Sequence, residues 1–476
     1  MNGGPPPSRM RLAVACWVLA GVVAVGAVVV ATVGDDGSAI PRGVPVRNIQ
    51  VGAETDDAFI QAASTPNAVT NPRNPRNLVI GYRIERPRFS CGVSTSLDGG
   101  ATFGPAQLAL PAGAERCYTT SLGFAPDGTL FLVFVTLGGE GNVPTGAWLT
   151  RSPDGGLSFG PPRQVLGPER FMVRLAVDPA AAPPRLVLTW VEPRGIGLLR
   201  MVAPSPVMAQ VSTDGGASFG PAVAVSAPGR ERTGAPIPVV GTGGAVHVAY
   251  FDYGRDVFDY DNQPGRYEGT FELIVASSLD GGRTFTESVV NAEVAPAEPF
   301  LVFTAPVPGL AADPRGPRLY AVWSDRRGGV PAVMLATSTD GGRSWSGARP
   351  IDAGGAEALL PQVAVAPQGR LDVAYARVAA GADGLTEVVL TSSADSGATF
   401  GPASPLNNPF RRSWLPLGPR PVMGRDLGSA LGLASQDSQV FAAWPDTRKG
   451  GTDTLRTDIV AATVRIARDG EVRALP

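Results

Sequence analysis

The chain has 476 residues, 44% of them hydrophobic and only 17% charged, with a formal net charge of −2. That balance offers no electrostatic footprint for nucleic acid, and the length excludes one small core in favour of several domains or one large repeat architecture. Gly (60) and Pro (46) together exceed a fifth of the chain, against about 12% in average usage, which points to many turns between short strands.

In chain order, residues 1–11 carry Arg9 and Arg11 and read as a short cytoplasmic N-terminus. Leu12–Val33 then runs apolar for 22 positions without a charge. A helix needs about 20 such residues to cross a bilayer, so the pattern predicts one transmembrane helix over 12–33. Arginines before it, and Asp35 and Asp36 after it, place the remainder of the chain outside. The alternative is a cleaved signal sequence, with Val29 and Ala31 small enough for the cleavage site, although the run exceeds the usual core of about 7–15 residues. Both readings export the rest of the chain. Residues 34–47 read as a linker and 48–476 as the exported domain. Cys16 lies in the apolar run; Cys91 and Cys117 remain for an oxidising compartment, where a pair readily forms a disulfide.

After the linker one pattern recurs: SLDGGATF, SPDGGLSF, STDGGASF, SLDGGRTF, STDGGRSW and SADSGATF. Their aspartates are Asp98, Asp154, Asp214, Asp280, Asp340 and Asp395, at intervals of 56, 60, 66, 60 and 55 residues. A fixed period of this size marks a repeat fold. Each copy follows an apolar strand, such as TEVVLTSS before Asp395. Upstream of that lies a strand ending in an aromatic, such as LVLTW at 186–190 or VHVAY at 246–250, and a third short strand precedes it. Four antiparallel strands per unit make a propeller blade. A seventh unit without the motif occupies 429–466, and the first begins near Asn67 with NLVIGY as its second strand. The expectation is a seven-bladed all-β propeller with six boxes, in which residues 48–66 add a strand that closes the ring.

The chemistry of the repeated motif is structural. An Asp carboxylate and a Ser hydroxyl can satisfy the backbone N–H groups of a turn, and the glycines supply positive φ. The terminal Phe or Trp packs beneath the hairpin. Six copies of a turn staple on one chain make sense where six catalytic residues would not. The repeats Ser-x-Asp-x-Gly-x-Thr/Ser-Phe/Trp resemble the Asp boxes of the sialidase-like (neuraminidase, BNR-repeat) propellers, over about residues 67–466. Such a resemblance implies a glycan-directed propeller, and in the family's true sialidases an exo-acting glycoside hydrolase built on three arginines, an Asp acid/base and a Tyr nucleophile assisted by Glu. The early Arg-Ile-Pro motif of that family is approached here by Arg83-Ile84-Glu85. No tyrosine follows Tyr375, which occupies a strand-end aromatic position.

On the face opposite the boxes a second pattern repeats at the ends of second strands. It comprises Trp190-x-Glu192-x-Arg194, Trp323-x-Asp325-x-Arg327 and Trp444-x-Asp446-x-Arg448, with Tyr250-x-Asp252 and Arg255 as a looser copy. It reads either as a ring of carboxylates and guanidiniums for an acidic ligand or as Asp–Arg bridges bracing the exit loops. Arg326 is an unrepeated extra. A long loop at 252–272 carries Asp256, Asp259, Tyr260 and Asp261; its tyrosines suit sugar rings and its carboxylates could hold calcium, though no EF-hand spacing is present. The alternative for it is a solvated acidic loop. Arg425 lies in the other large insertion, 404–428. The single histidine, His247, lies inside a strand as a core residue, and a histidine-rich zinc site is excluded by count. Cys91 and Cys117 fall at one rim, 26 residues apart, where a disulfide would brace the loops of the first blade. The expected protein is a monomeric, membrane-anchored, extracytoplasmic propeller without a resident cofactor or metal. Its ligand is a carbohydrate or envelope polymer held on the loop face. The alternatives are an exo-α-sialidase-type hydrolase and a protein-interaction scaffold of the envelope.

Overall fold

The computed structural model describes residues 46–52, 62–86, 88–139, 142–197, 200–254, 269–297, 307–352, 355–381, 383–415, 427–452, 454–467 and 471–474. The predicted transmembrane run 12–33 lies outside them. Among the described residues no helix is long and apolar enough to cross a membrane.

Seven four-stranded antiparallel blades succeed one another, each with strands A to D from the centre outward. Blade 1 is Ala62–Asn71, Asn74–Arg86, Ser90–Ser96 and Gly104–Pro105; blade 2 is Arg116–Phe124, Leu130–Gly138, Val143–Ser152 and Arg163–Leu166. Blade 3 is Phe171–Val177, Leu186–Val191, Val207–Ser212 and Val223–Ala224; blade 4 is Thr233–Val240, Val246–Asp252, Phe271–Ser278 and Thr286–Val294. Blade 5 is Gly309–Ala312, Leu319–Asp325, Ala332–Ser338 and Arg349–Pro350; blade 6 is Glu357–Val365, Leu371–Val378, Leu385–Ser393 and Ser404–Pro405. Blade 7 takes Gly432–Ser435, Gln439–Asp446 and Asp458–Ile466 from the end of the chain and its outer strand, Ile49–Gln50, from the beginning. The expected closing strand is therefore this two-residue piece, pairing Ile49 with Ala461 and Gln50 with Val460. Val472–Ala474 pairs with the same strand farther along its edge. Blade 3 also carries a small hairpin, Gly195–Gly197 with Arg200–Val202, that no sequence pattern announces.

Packing explains why second strands are apolar on both faces. Leu186–Val191 is buried throughout because each blade is sandwiched between two others. Seven apolar clusters fill the seven blade interfaces, and the last joins Leu78, Ile80 and Tyr82 of blade 1 to Phe441, Ala443 and Ile459 of blade 7. At one register of strand B all seven blades place a buried aromatic: Tyr82, Phe134, Trp190, Tyr250, Trp323, Tyr375 and Trp444.

The boxes adopt one geometry. In blade 2, Ser152 Oγ donates to Asp154 Oδ1 at 2.6 Å and accepts from the Gly156 N–H at 2.8 Å, while Asp154 accepts the Ser158 N–H at 3.0 Å and the Ser158 hydroxyl. The box of blade 2 is also a bolt to blade 1. Thr95 Oγ1 donates to the Gly156 carbonyl at 2.8 Å and Asn77 Nδ2 to that of Gly155 at 2.9 Å. Gly156 sits at φ 93°, where a Cβ would meet Thr95, Val79 and Leu130, so glycine is required on both counts. The box aromatic joins the interface with the preceding blade: Phe103 stacks on Phe441 at 5.9 Å, and the Trp345 indole donates to Ser288 Oγ at 2.9 Å. Asp154→Ala should therefore lower the melting temperature by about 2–4 °C, the shift expected for roughly 1 kcal/mol in a large domain. Calorimetry checks this, and an unchanged melt would remove the staple role.

Candidate functional site

Strands B run toward the face opposite the boxes, and the carboxylates at their ends turn back onto the segments that enter each blade. Asp325 accepts from the backbone N–H groups of Ala295 (3.3 Å) and Arg327 (3.0 Å) and from the Arg327 guanidinium (2.9 Å). Asp446 accepts from the Trp444 indole (3.1 Å) and pairs with Arg448 (2.8 Å), which also donates to Asn48 Oδ1 (2.7 Å). Glu192 accepts from the Trp190 indole (3.0 Å) and pairs with Arg170 (2.9 Å) rather than Arg194. Asp252 pairs with Arg230, which also holds Glu272 and Glu287, each at 2.8 Å. Asp252, Asp325 and Asp446 are buried in these contacts, so the repeated pattern forms braces satisfied within each blade. Arg194 and Arg326 are exposed. Arg255, Asp256, Asp259, Tyr260, Asp261 and Arg425 lie outside the described residues. Among the described residues no group of three His, Cys, Asp or Glu could hold a metal.

A different set meets at the centre. Strand A of each blade lies against strand A of both neighbours, so these seven strands line the channel. In blades 1, 2, 3, 4 and 6 the register of strand A slips at one equivalent position. Thr65, Met172, Ala235 and Leu360 take positive φ there (50°, 52°, 55° and 53°), an uncommon conformation for such side chains that concentrates at functional sites. The residues paired to equivalent strand-B positions just past the slip are Asn67, Ser121, Arg174, Ile237, Gly309, Gln362 and Gly432. Arg174 is the one charge in this ring.

Arg174 has no carboxylate partner among the described residues; its guanidinium donates only to the neighbouring Val173 carbonyl at 3.4 Å. It keeps some solvent contact yet is densely surrounded by protein, and burial pushes its pKa down. Arg83 pushes it the same way and Tyr118 opposes. Arginine remains protonated even so. Tyr118, on strand A of blade 2, stands in the field of both guanidiniums; burial holds its pKa above the usual tyrosine value, with Arg174 and Arg83 opposing that rise. Arg83 pairs with Glu85 at 2.6 Å, and Glu85 in turn accepts from Ser64 Oγ at 2.5 Å. By register Arg83 and Tyr118 lie two residues nearer the loop face than Arg174, about 7 Å along a strand. Among the described residues, the cluster sets two guanidiniums, Arg83 and Arg174, against the one carboxylate of Glu85. Cys91 and Cys117 are joined by a disulfide, with Cα atoms 5.4 Å apart, directly beside it.

Of the candidates read from the sequence, Arg83 alone belongs to this cluster; Tyr118 and Arg174 were not among them. A signal for Arg174 existed, since it interrupts the otherwise apolar strand FMVRLAV. Other titratable groups are absorbed by the fold. The Tyr250 hydroxyl donates to Glu287 and that of Tyr375 to Asp352, and burial together with those carboxylates pushes both pKa values up. His247 Nδ1 lies 2.8 Å from Ser277 Oγ, and burial lowers its pKa to about 4, leaving a neutral core imidazole.

Residues 206–419 match the family described as BNR repeat-like domain. No curated protein matches the chain. Among solved structures, a protein of unknown function from Dyadobacter fermentans is 14% identical, covering 90% of this chain and 100% of its own at a TM-score of 0.49. The endosialidase of phage phi92 is 11% identical (91% and 72% covered, TM-score 0.48). An α-L-arabinanase of Penicillium chrysogenum, solved with arabinobiose, is 12% identical (88% and 97% covered, TM-score 0.45).

Proposed function

We propose, for a chain that is a sialidase-like propeller of BNR and Asp-box repeats, that it binds an acidic carbohydrate at the channel mouth between blades 1 and 3. The observation that carries this reading is Arg174, the one charge in the channel ring, which is desolvated and has no counter-charge among the described residues. A guanidinium in that state favours a carboxylate or sulfate, which it can grip with two parallel hydrogen bonds. Tyr118 adds a ring face for a sugar and a hydroxyl, and Arg83, paired with Glu85, adds a second guanidinium farther out. The apolar run 12–33 would anchor the propeller outside a membrane, and the disulfide agrees with an oxidising compartment.

A second reading, an exo-acting glycoside hydrolase, draws on Tyr118 standing in the field of both guanidiniums, with Glu85 one ion pair away on Arg83. A tyrosine nucleophile needs cationic neighbours to offset the rise in pKa that burial causes, and Arg174 and Arg83 oppose that rise here without reversing it. The test is a glycan array probed with the full chain, beside a fluorogenic sialoside assay. Retention on glycans ending in an acidic sugar, with loss on their neutral counterparts, is the expected result. Turnover abolished in Tyr118→Phe would promote the second reading. Retention of neutral glycans alone, or of none, would overturn both and favour a protein partner.

A further inference from the structure

We infer that the Cys91–Cys117 disulfide is the positioning element of the channel-mouth cluster: it fixes Arg83 against Tyr118, so that opening it weakens acidic-ligand binding while the propeller stays folded. The inference rests on reading Arg83, Tyr118 and Arg174 as the ligand site. Cys91 is the direct cross-strand partner of Arg83 in blade 1, and side chains of such partners share a face of the sheet. Cys117 immediately precedes Tyr118 on the innermost strand of blade 2. The bridge therefore ties together the backbone positions that present these two groups, on two different blades.

Little else does so at this point. No ladder joins the two strands. The Cys117 N–H reaches the Phe89 carbonyl at 3.4 Å, and Thr119 Oγ1 donates to that of Gly92 at 3.1 Å. The register of strand A slips between Thr119 and Ser121, just beyond Tyr118, so the end carrying Tyr118 is not stiffened by an unbroken ladder. The bridge sits at the edge of the apolar cluster between these blades, which includes Cys117 with Cys91 packed against it, but most of that cluster is made by other side chains. Val79, Leu130, Leu132 and Phe134 fill the interface of blades 1 and 2, and the box of blade 2 bolts them together at the opposite face. Cutting the bridge should thus loosen the mouth and spare the blades. Placement to within a fraction of an ångström decides how well guanidinium and hydroxyl act together on one ligand.

The chemistry balances with a dithiol reductant. Its thiolate attacks Sγ of Cys91, which keeps solvent contact, and buried Cys117 leaves as thiolate and takes up a proton. The reductant's second thiol then displaces Cys91, giving two cysteine thiols and a cyclic oxidised reductant, two electrons in all.

The experiment compares the full chain oxidised, reduced with dithiothreitol, and as the double variant Cys91→Ala with Cys117→Ala. Amide hydrogen exchange is measured throughout, and N-acetylneuraminate and glucuronate are titrated by calorimetry. We expect faster exchange confined to 83–92 and 116–121 and about tenfold weaker binding of the sugar that the oxidised protein holds. If the variant fails to fold, the reduced protein carries the comparison. Unchanged exchange in both segments, or acceleration spread over all blades, would overturn the positioning role. Equal affinity of reduced and oxidised protein would overturn it while leaving the ligand site standing. Local loosening in a protein that binds neither sugar when oxidised would sink the ligand-site reading and keep the clamp of Arg83 and Tyr118.

Discussion

Replacing Arg174 with glutamine should weaken binding of an acidic sugar about a hundredfold, the equivalent of a charge-assisted contact of roughly 2–3 kcal/mol, without lowering the melting temperature. The two halves of this expectation come from one fact. A desolvated guanidinium with no carboxylate beside it costs the folded state free energy, and the nearby Arg83 adds repulsion. A shorter, neutral side chain relieves that cost, so the melting temperature should stay level or rise while the ligand is lost. Arg83→Gln makes the contrast, because it breaks the 2.6 Å pair with Glu85 and should reduce both stability and affinity. A fall of several degrees in Arg174→Gln at unchanged affinity would make Arg174 a structural group and leave the channel mouth without a ligand.

Acid should unfold the propeller steeply below pH 4, and the boxes set that limit. In Asp98 and Asp154 burial alone would raise the pKa, but hydrogen bonds from the flanking hydroxyls and N–H groups outweigh it and hold both at about 2. In Asp214 the same bonds, led by Ser218, give about 2, and Asp280, Asp340 and Asp395 lie below the usual carboxylate range for the same reason. A carboxylate depressed on folding contributes stability that is complete above its unfolded value, near 3.8, and is lost as pH falls through the folded one. At pH 3 each of these aspartates is mostly protonated in the unfolded chain and mostly ionised in the folded one. Unfolding there should take up on the order of four protons. His247 works in the same sense higher up: its folded pKa of about 4 against 6.5 adds one proton of uptake between those values. The melting temperature should be flat above pH 6.5, decline gently to about pH 4 and then fall steeply. A steep fall already at pH 5 would place the acid-sensitive groups elsewhere.

The fold was legible because its determinants are local and repeated. Six boxes and the strand-end aromatics each recur at a register that alternation along a strand makes visible, from Trp190 to Trp444. Ring closure through Ile49–Gln50 was less so, since two residues hold no period; only the leftover segment pointed to it. The small hairpin Gly195–Gly197 with Arg200–Val202 gave no signal for the same reason. The site was largely hidden. Arg83, Tyr118 and Arg174 lie up to 91 positions apart and meet only because the second strand of blade 1 and the innermost strands of blades 2 and 3 come together at one rim. The repeated Trp-x-Asp-x-Arg pattern, which reads from the sequence either as a ligand ring or as braces, has Asp325 and Asp446 bracing their own exit loops. Repetition marks what every blade needs, whereas a ligand site in a seven-fold ring arises where one blade differs, as Arg174 does from Asn67, Ser121 and Gln362.

The measurement that bears most directly on that difference is a crystal structure of the protein soaked with N-acetylneuraminate and, separately, with glucuronate. Density for an acidic sugar is expected in the channel mouth, its carboxylate within hydrogen-bond distance of the Arg174 guanidinium and its ring beside Tyr118. Density for the sugar elsewhere on the propeller, with the guanidinium of Arg174 turned onto a protein carboxylate, would contradict that expectation.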